Sequence, residues 1–291
     1  MISYDRDRWW RTAISFHGTV LPHTLGRVGL FTLFCLAICL LDDYVLERYG
    51  WPLPALDQLG HTVLGVTMSL LIVHRTTSSN VRFWEGRTAW GAVVNASRNL
   101  ARQAGVYGPP ADDVARLLAA FAVALRERLR DRDPTEALRP WLSGRLLEEV
   151  GTAASPPARL ARSLSSWVRA RKAQGALDAI AAAELERQIS ALTDAQGACE
   201  RIHRTPLPFI YASLIKELLV LYLGSLPFVL VAKMGYAAPL VVTVVALGML
   251  GIEDAGVEIE DPFGLTPNAL PLETICATIA RDCAELAKSE D

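Results

Sequence analysis

Apolar residues in this chain are bunched into blocks rather than spread in stripes. Residues 28–41, 59–73, 218–232 and 238–252 are each free of charge for about 14 to 15 positions, short of the ~20 apolar residues that cross a bilayer as a helix. Neighbouring residues supply the missing turns. The first block extends through Tyr44, Val45 and Leu46, the second reaches back toward Leu53, and the third reaches back to Pro208 across Lys216 and Glu217. Those two charges then need a protein or aqueous neighbour. Four membrane-spanning helices in two pairs are predicted. Buried core helices of a soluble α protein are the competing reading, since single blocks of this length also occur there, but a soluble bundle shows stripes at helical period instead.

Between the two pairs the pattern changes to helical periodicity in a charged, Ala- and Leu-rich setting. Val114, Leu117, Leu118, Phe121, Ala122 and Leu125 mark one amphipathic helix, and Ile180, Leu185, Ile189 and Leu192 mark another. Breaks are expected at Gly108-Pro109-Pro110, Asp133-Pro134, Arg139-Pro140 and Ser155-Pro156-Pro157, where proline ends a helix. No strand alternation and no internal repeat stand out. The predicted organisation is an interfacial or cytosolic segment (1–27), a first helix pair (28–74), a helical cytosolic region (75–205), a second helix pair (206–252) and a cytosolic tail (253–291).

Charge orients this arrangement. Arg6, Arg8, Arg11 and Arg27 precede the first block, whereas the link between blocks one and two carries Asp42, Asp43, Glu47 and Asp57 against Arg48 alone. Arg75, Arg82 and Arg87 follow the second block and Arg201 and Arg204 precede the third, while Lys233 stands between the third and fourth. Basic residues mark the inner side, so both termini are expected in the cytoplasm of a multi-pass protein of the plasma membrane. With 51% hydrophobic and 21% charged residues and a mean hydropathy of +0.25, the chain is too apolar for disorder. A formal charge of −2 offers nucleic acid no basic footprint. The five cysteines, Cys35, Cys39, Cys199, Cys276 and Cys283, form no C-x-x-C pair and read as small buried hydrophobes.

Catalytic signatures are missing: there is no H-E-x-x-H, no phosphate-cradling glycine loop and no G-x-S-x-G. His17, His23, His61, His74 and His203 are scattered, and His61 and His74, 13 residues apart, lie more than three turns from each other. No catalytic residue is assigned and the chain is not expected to be an enzyme. Three charged clusters remain. The first runs from Arg75 to Arg98 with Phe83, Trp84 and Trp90 among its arginines, an aromatic and basic belt at a membrane boundary in which Arg82, Glu85 and Arg87 could pair. Glu200, Arg201 and His203 lead into Pro206 and Pro208 in the second. The third is Glu258, Glu260 and Asp261 before Pro262, Phe263 and Gly264, a solvated acidic tail or, alternatively, oxygen ligands for a hard cation.

Together these clusters resemble the bestrophin family. The resemblance rests on the segment from Trp9 to Gly18, on R-x6-R-F-W-E-x-R-x2-W-G (Arg75, Arg82, Trp84, Glu85, Arg87, Trp90), on E-R-I-x2-T-P-x-P (Glu200, Arg201, Pro206, Pro208) and on E-D-P-F-G (Asp261, Pro262, Phe263, Gly264). It implies an all-α membrane protein with four transmembrane helices per subunit plus a large helical cytosolic region, five subunits surrounding a central pore. It also implies self-association and the bilayer as partners and chloride or another small monovalent ion as the permeant species. Carried onto this sequence, the membrane neck falls on Val66, Leu70 and His74 and the cytosolic aperture on Ile180. Residues four apart share a helix face, so five copies of Val66 and Leu70 would stack as apolar rings able to gate by expelling water.

Two departures from the family carry expectations. An aromatic residue is common at the third neck position, whereas His74 stands here, and histidine changes charge near neutral pH. Animal bestrophins follow the P-F-G with acidic residues that complete a calcium clasp, whereas Leu265, Thr266, Pro267, Asn268 and Ala269 follow it here. No cofactor and no complete clasp are expected. Asp42, Asp43 and Glu47 would concentrate cations if they faced the outer mouth, so a monovalent-cation channel of the same architecture stays open. So do two other classes, a membrane-embedded metal-dependent enzyme using Asp42, Asp43 or the 258–261 carboxylates, and a membrane-anchored scaffold.

Overall fold

The computed structural model describes residues 7, 9–51, 53–54, 56–108 and 110–288, the side chains of residues 13, 46 and 47 aside. Arg6, Arg8 and Pro109 lie outside the described residues. All regular structure among the described residues is helical. A short α1 (Trp9–Ala13) precedes α2 (Leu21–Leu41), which runs on through a π-helical turn (Asp42–Leu46) into α3 (Glu47–Tyr49). Then comes α4 (Gln58–Tyr107), 50 residues without interruption, or about 75 Å at 1.5 Å per residue. There follow α5 (Asp112–Arg128), α6 (Thr135–Leu138), α7 (Gly144–Gly151), α8 (Pro156–Ala173) and α9 (Ala179–Arg204). The chain closes with α10 (Phe209–Ser225), α11 (Pro227–Met234), a 3-10 turn (Gly235–Ala237), α12 (Ala238–Glu260) and α13 (Leu272–Leu286).

Local chemistry explains the ends. Asp57, itself extended, accepts a hydrogen bond from the Gly60 amide and so starts α4 at Gln58, later than an entry near Leu53. Asp178 caps α9 in the same way through the Ala181 amide at 2.7 Å. Pro227 lacks the amide that would continue α10, so the third apolar block is two helices meeting at Leu226. The boundary between residues 74 and 75, where composition turns charged, falls inside α4 and leaves no mark on its backbone.

α12 lies between α2 and α4 and packs on both, with α10 against α4. Val28, Met68, Ile72, Ile215, Leu219, Leu223, Ala246 and Leu250 form the core of this half, and Cys35, Ile38, Cys39, Val231 and Val242 continue it toward α11. The other half is a second core. There the lower part of α4 pairs with α9, and α5 is buried among α8, α13 and α4 around Phe121, Leu118, Leu125 and Trp90. All five cysteines are free and buried. In this second core burial pushes the Cys199, Cys276 and Cys283 thiols up to about 12.

Candidate pore face and its supporting junction

Each long helix of the first pair leaves one face bare. On α2 the exposed residues from Leu30 onward are Leu30, Leu33, Phe34, Leu36, Ala37, Leu40 and Leu41, all apolar. Its one hydroxyl there, Thr32, turns inward and shares a 2.7 Å hydrogen bond with Thr243. On α4 the exposed residues are mixed. Leu59, Val63, Val66, Leu70 and Val73 alternate with Thr62, Thr67, Ser69, His74 and Thr77. The hydroxyls of Thr62, Thr67, Ser69 and Thr77 bond back to carbonyls one turn earlier, which lets the helix carry them at little cost.

Val66, Leu70 and His74 therefore share this face, Val66 being 58% and Leu70 66% exposed. Val66, Ser69, Leu70 and Val73 also edge a cavity of roughly 920 Å3 whose far wall is Tyr222, Val229, Val244 and Ile252. His61 is buried and lines the same cavity. Its ring stacks on Tyr222 at 4.4 Å and its Nε2 lies 3.2 Å from the Ser225 hydroxyl, a structural histidine joining α4 to α10. Ile180, second residue of α9, is 81% exposed. It departs from the apolar stripe it appeared to share with Leu185, Ile189 and Leu192, all of which are buried.

The acidic residues expected at the outer mouth follow the C-terminal end of α2. Asp42 and Asp43 lie in the π-helical turn after α2, where Asp43 accepts a 2.8 Å hydrogen bond from the Tyr236 hydroxyl. The Glu47 side chain lies outside the described residues. Lys216 and Glu217 are exposed on α10, and Ser213 donates to Glu217 at 2.6 Å.

Where the apolar part of α4 ends, the three charged clusters converge. Arg75, 6% exposed, donates to Glu253, 2% exposed, and reaches Glu260 at 3.4 Å. Glu253 had no place among the sequence candidates. Its signal was an acidic residue one position past an apolar block, in phase with Val242, Ala246 and Leu250, the buried face of α12. Arg82 donates from Nε to the Glu260 carbonyl at 3.2 Å and from Nη2 to the Ile202 carbonyl at 2.8 Å, with a further bond to the Thr205 carbonyl. The Glu260 carboxylate accepts the Leu207 amide at 3.1 Å. Arg82 thus fixes α4 by capping the carbonyl end of α9, a place where a cation is favoured. That differs from a pairing with Glu85. Glu85 and Arg87 are exposed and form no ion pair among the described residues.

The remaining motif residues serve the same junction. A Cβ on Gly86 would stand 2.8 Å from Pro262 Cγ, so only glycine lets α4 approach the turn that carries Pro262 and the fully buried Phe263. Asp261 accepts the Phe263 amide at 3.2 Å, and a Cβ on Gly264 would stand 2.7 Å from that carboxylate. The Phe263 carbonyl accepts Arg130 Nε at 3.1 Å. Trp90 is buried and Trp84 exposed. Glu200 takes Arg128 at 2.8 Å, Arg201 is exposed, and Pro206 and Pro208 stand in the irregular link to α10. The other acidic residue of the tail cluster, Glu258, accepts Asn268 Nδ2 at 3.0 Å, and the same amide donates to the Gly18 carbonyl at 2.9 Å.

Residues 1–285 match the family model described as Bacterial/Fungal Bestrophin protein. The chain belongs to the bacterial and fungal bestrophin family. Among similar relatives are proteins named voltage-dependent anion channel-forming protein from Nostoc sp. and Synechocystis sp., each 34% identical. The first alignment covers 97% of this chain and 92% of the relative, the second 96% and 91%. The crystal structure of a bacterial bestrophin homologue from Klebsiella pneumoniae superposes with a TM-score of 0.84 at 28% identity, covering 92% of this chain and 99% of that one. Family membership makes this bestrophin a membrane protein, in keeping with a stretch such as Leu21–Val45, long and apolar enough to cross a bilayer.

Proposed function

We propose that this bestrophin assembles as a homopentamer into a plasma-membrane channel for small monovalent anions, chloride among them. The observation that carries the reading is the bare face of α4, which mixes Val66 and Leu70 with Thr67, Ser69 and His74, while the bare face of α2 from Leu30 onward is uniformly apolar. Hydrocarbon suits the second face, and a water-filled path with hydrophobic constrictions suits the first. The channel names of the relatives support the same reading. In it Val66, Leu70 and His74 form the neck, Ile180 the cytosolic aperture, and a neighbouring copy fills the cavity beside Leu70.

The topology that goes with this function has four spans, formed by α2, the first part of α4, α10 with α11, and α12, with both termini in the cytoplasm. Residues 75–205 and the tail after residue 252 form the cytosolic part, and no residue performs catalysis. The channel opens without calcium. Asn268 supports this, since its amide already ties Gly18 to Glu258 where a bound cation would otherwise draw those oxygens together.

Recording from purified protein in planar bilayers under a salt gradient tests the reading, with Leu70→Ala beside the parent. A current that Leu70→Ala alters, reversing near the chloride equilibrium potential, is the expected result. Reversal near the cation potential would make this the monovalent-cation channel of the same architecture. Silence from assembled pentamers would return the chain to a scaffold or an enzyme.

A further inference from the structure

The bare face of α4 does not stop at the membrane boundary. Arg102 follows Val66 by 36 residues, and Val106 follows Leu70 by the same interval, which at 3.6 residues per turn is ten whole turns. Burial confirms that the phase is kept, because Met68 and Ala104, also 36 residues apart, are both fully buried. Below the apolar part this face carries Asn95, Asn99 and Arg102, at i, i+4 and i+7. All three are exposed and make no hydrogen bond or ion pair among the described residues. The carboxylate that α9 brings to this level, Glu184, is already taken by Gln103, Arg187 and Gln188. Arg102 is left without a counter-charge.

We infer that Arg102 sets the charge preference of the cytosolic vestibule. This rests on the channel reading, in which the Val66 face surrounds the pore axis. The same face then presents five Arg102 guanidiniums as a basic ring about 54 Å below Val66 along the helix. Arginine keeps its charge at every physiological pH, so the ring attracts anions and repels cations whatever the state of His74. The apolar neck chooses no sign, and Arg102 supplies the fixed charge it lacks.

Reversal potentials of the parent, Arg102→Gln and Arg102→Glu in a sodium chloride gradient test the inference. The chloride-to-sodium permeability ratio is expected to fall by about threefold or more on charge reversal and by less on neutralisation. Arg102→Cys provides the same test within one folded protein. The native thiols are all buried, so charged methanethiosulfonates added from the cytosolic side reach this cysteine. A cationic reagent should restore the parent ratio and an anionic one should lower it further. A conducting parent whose ratio is unmoved by Arg102→Glu and by both reagents overturns the role of Arg102 and leaves the channel standing. A silent parent overturns both.

Discussion

Helices α2 and α4 carry the first two apolar blocks and have opposite designs. From Val28 onward the inner face of α2 is apolar, with Val28, Cys35, Ile38 and Cys39, its outer face from Leu30 is apolar too, and its polar contacts are Thr32 to Thr243, the Cys39 thiol to the Gly235 carbonyl and, at the N-terminal end, Thr24 at 2.5 Å and Arg27 at 2.7 Å to Asp254. α4 places a buried arginine on its inner face and hydroxyls and an imidazole on its outer one. The difference teaches that hydropathy, averaged over a window, reports only that a helix can enter a bilayer. Face-resolved chemistry separates a helix that meets lipid from one that meets water.

The comparison breaks most visibly at the buried pair. Glu253→Ala would leave the buried Arg75 guanidinium with only its 3.4 Å contact to Glu260, and is expected to cost about 3–5 kcal/mol, against roughly 1 kcal/mol for removing the Thr32 hydroxyl. Thermal unfolding of the detergent-solubilised protein measures both, and equal losses would put the Arg75 junction on the same footing as ordinary packing. Lysine scanning sharpens the outer faces. Leu33→Lys should disfavour insertion by about 3 kcal/mol, whereas Leu70→Lys should insert and assemble at parental yield but alter conduction. Loss of membrane-inserted protein for Leu70→Lys would mean that its face meets lipid.

A smaller effect belongs to the half built around Phe121, where Arg130 holds Glu273 down at about 2, well below the ordinary glutamate value of 4.5. A depressed carboxylate contributes stability above its unfolded pKa and loses it as pH falls through the folded one. The contribution of this half-exposed pair is about 1 kcal/mol after solvent screening. Parent and Glu273→Gln should differ in melting temperature near neutrality and converge between pH 4.5 and 2; parallel curves throughout would remove the pair from the stability of this half. The smallest expected change is in conduction. His74→Phe, which removes the imidazole from the bare face of α4, should alter the parental currents, and identical currents would take His74 off the ion path.

Much of this architecture was legible beforehand. Four apolar blocks, the amphipathic stripes of α5 and α9, and the proline breaks follow from periodicity and backbone sterics, which act within a turn or two of helix. The motifs around Arg75, Glu200 and Asp261 announced that something joined them. What joined them did not show, because Arg75 and Glu253 stand 178 residues apart, and no local rule ties an arginine at the end of one apolar block to a glutamate at the end of another. Glu85 shows the converse. Its spacing from Arg82 suited an ion pair, yet Arg82 found three carbonyls instead.

The sequence by itself determined which segments are helical and which of them suit a bilayer, because propensity, length and hydrophobicity are properties of contiguous residues, whereas the need for glycine at position 86 came from its contact with Pro262. Only the tertiary structure decided which face of each helix is left bare and which charges are buried together. The packing of α12 between α2 and α4 covers Met68 and Ile72 and leaves Val66 and Leu70 open. That choice depends on the rotation of one helix against another, a quantity set by the summed fit of many side chains from distant segments.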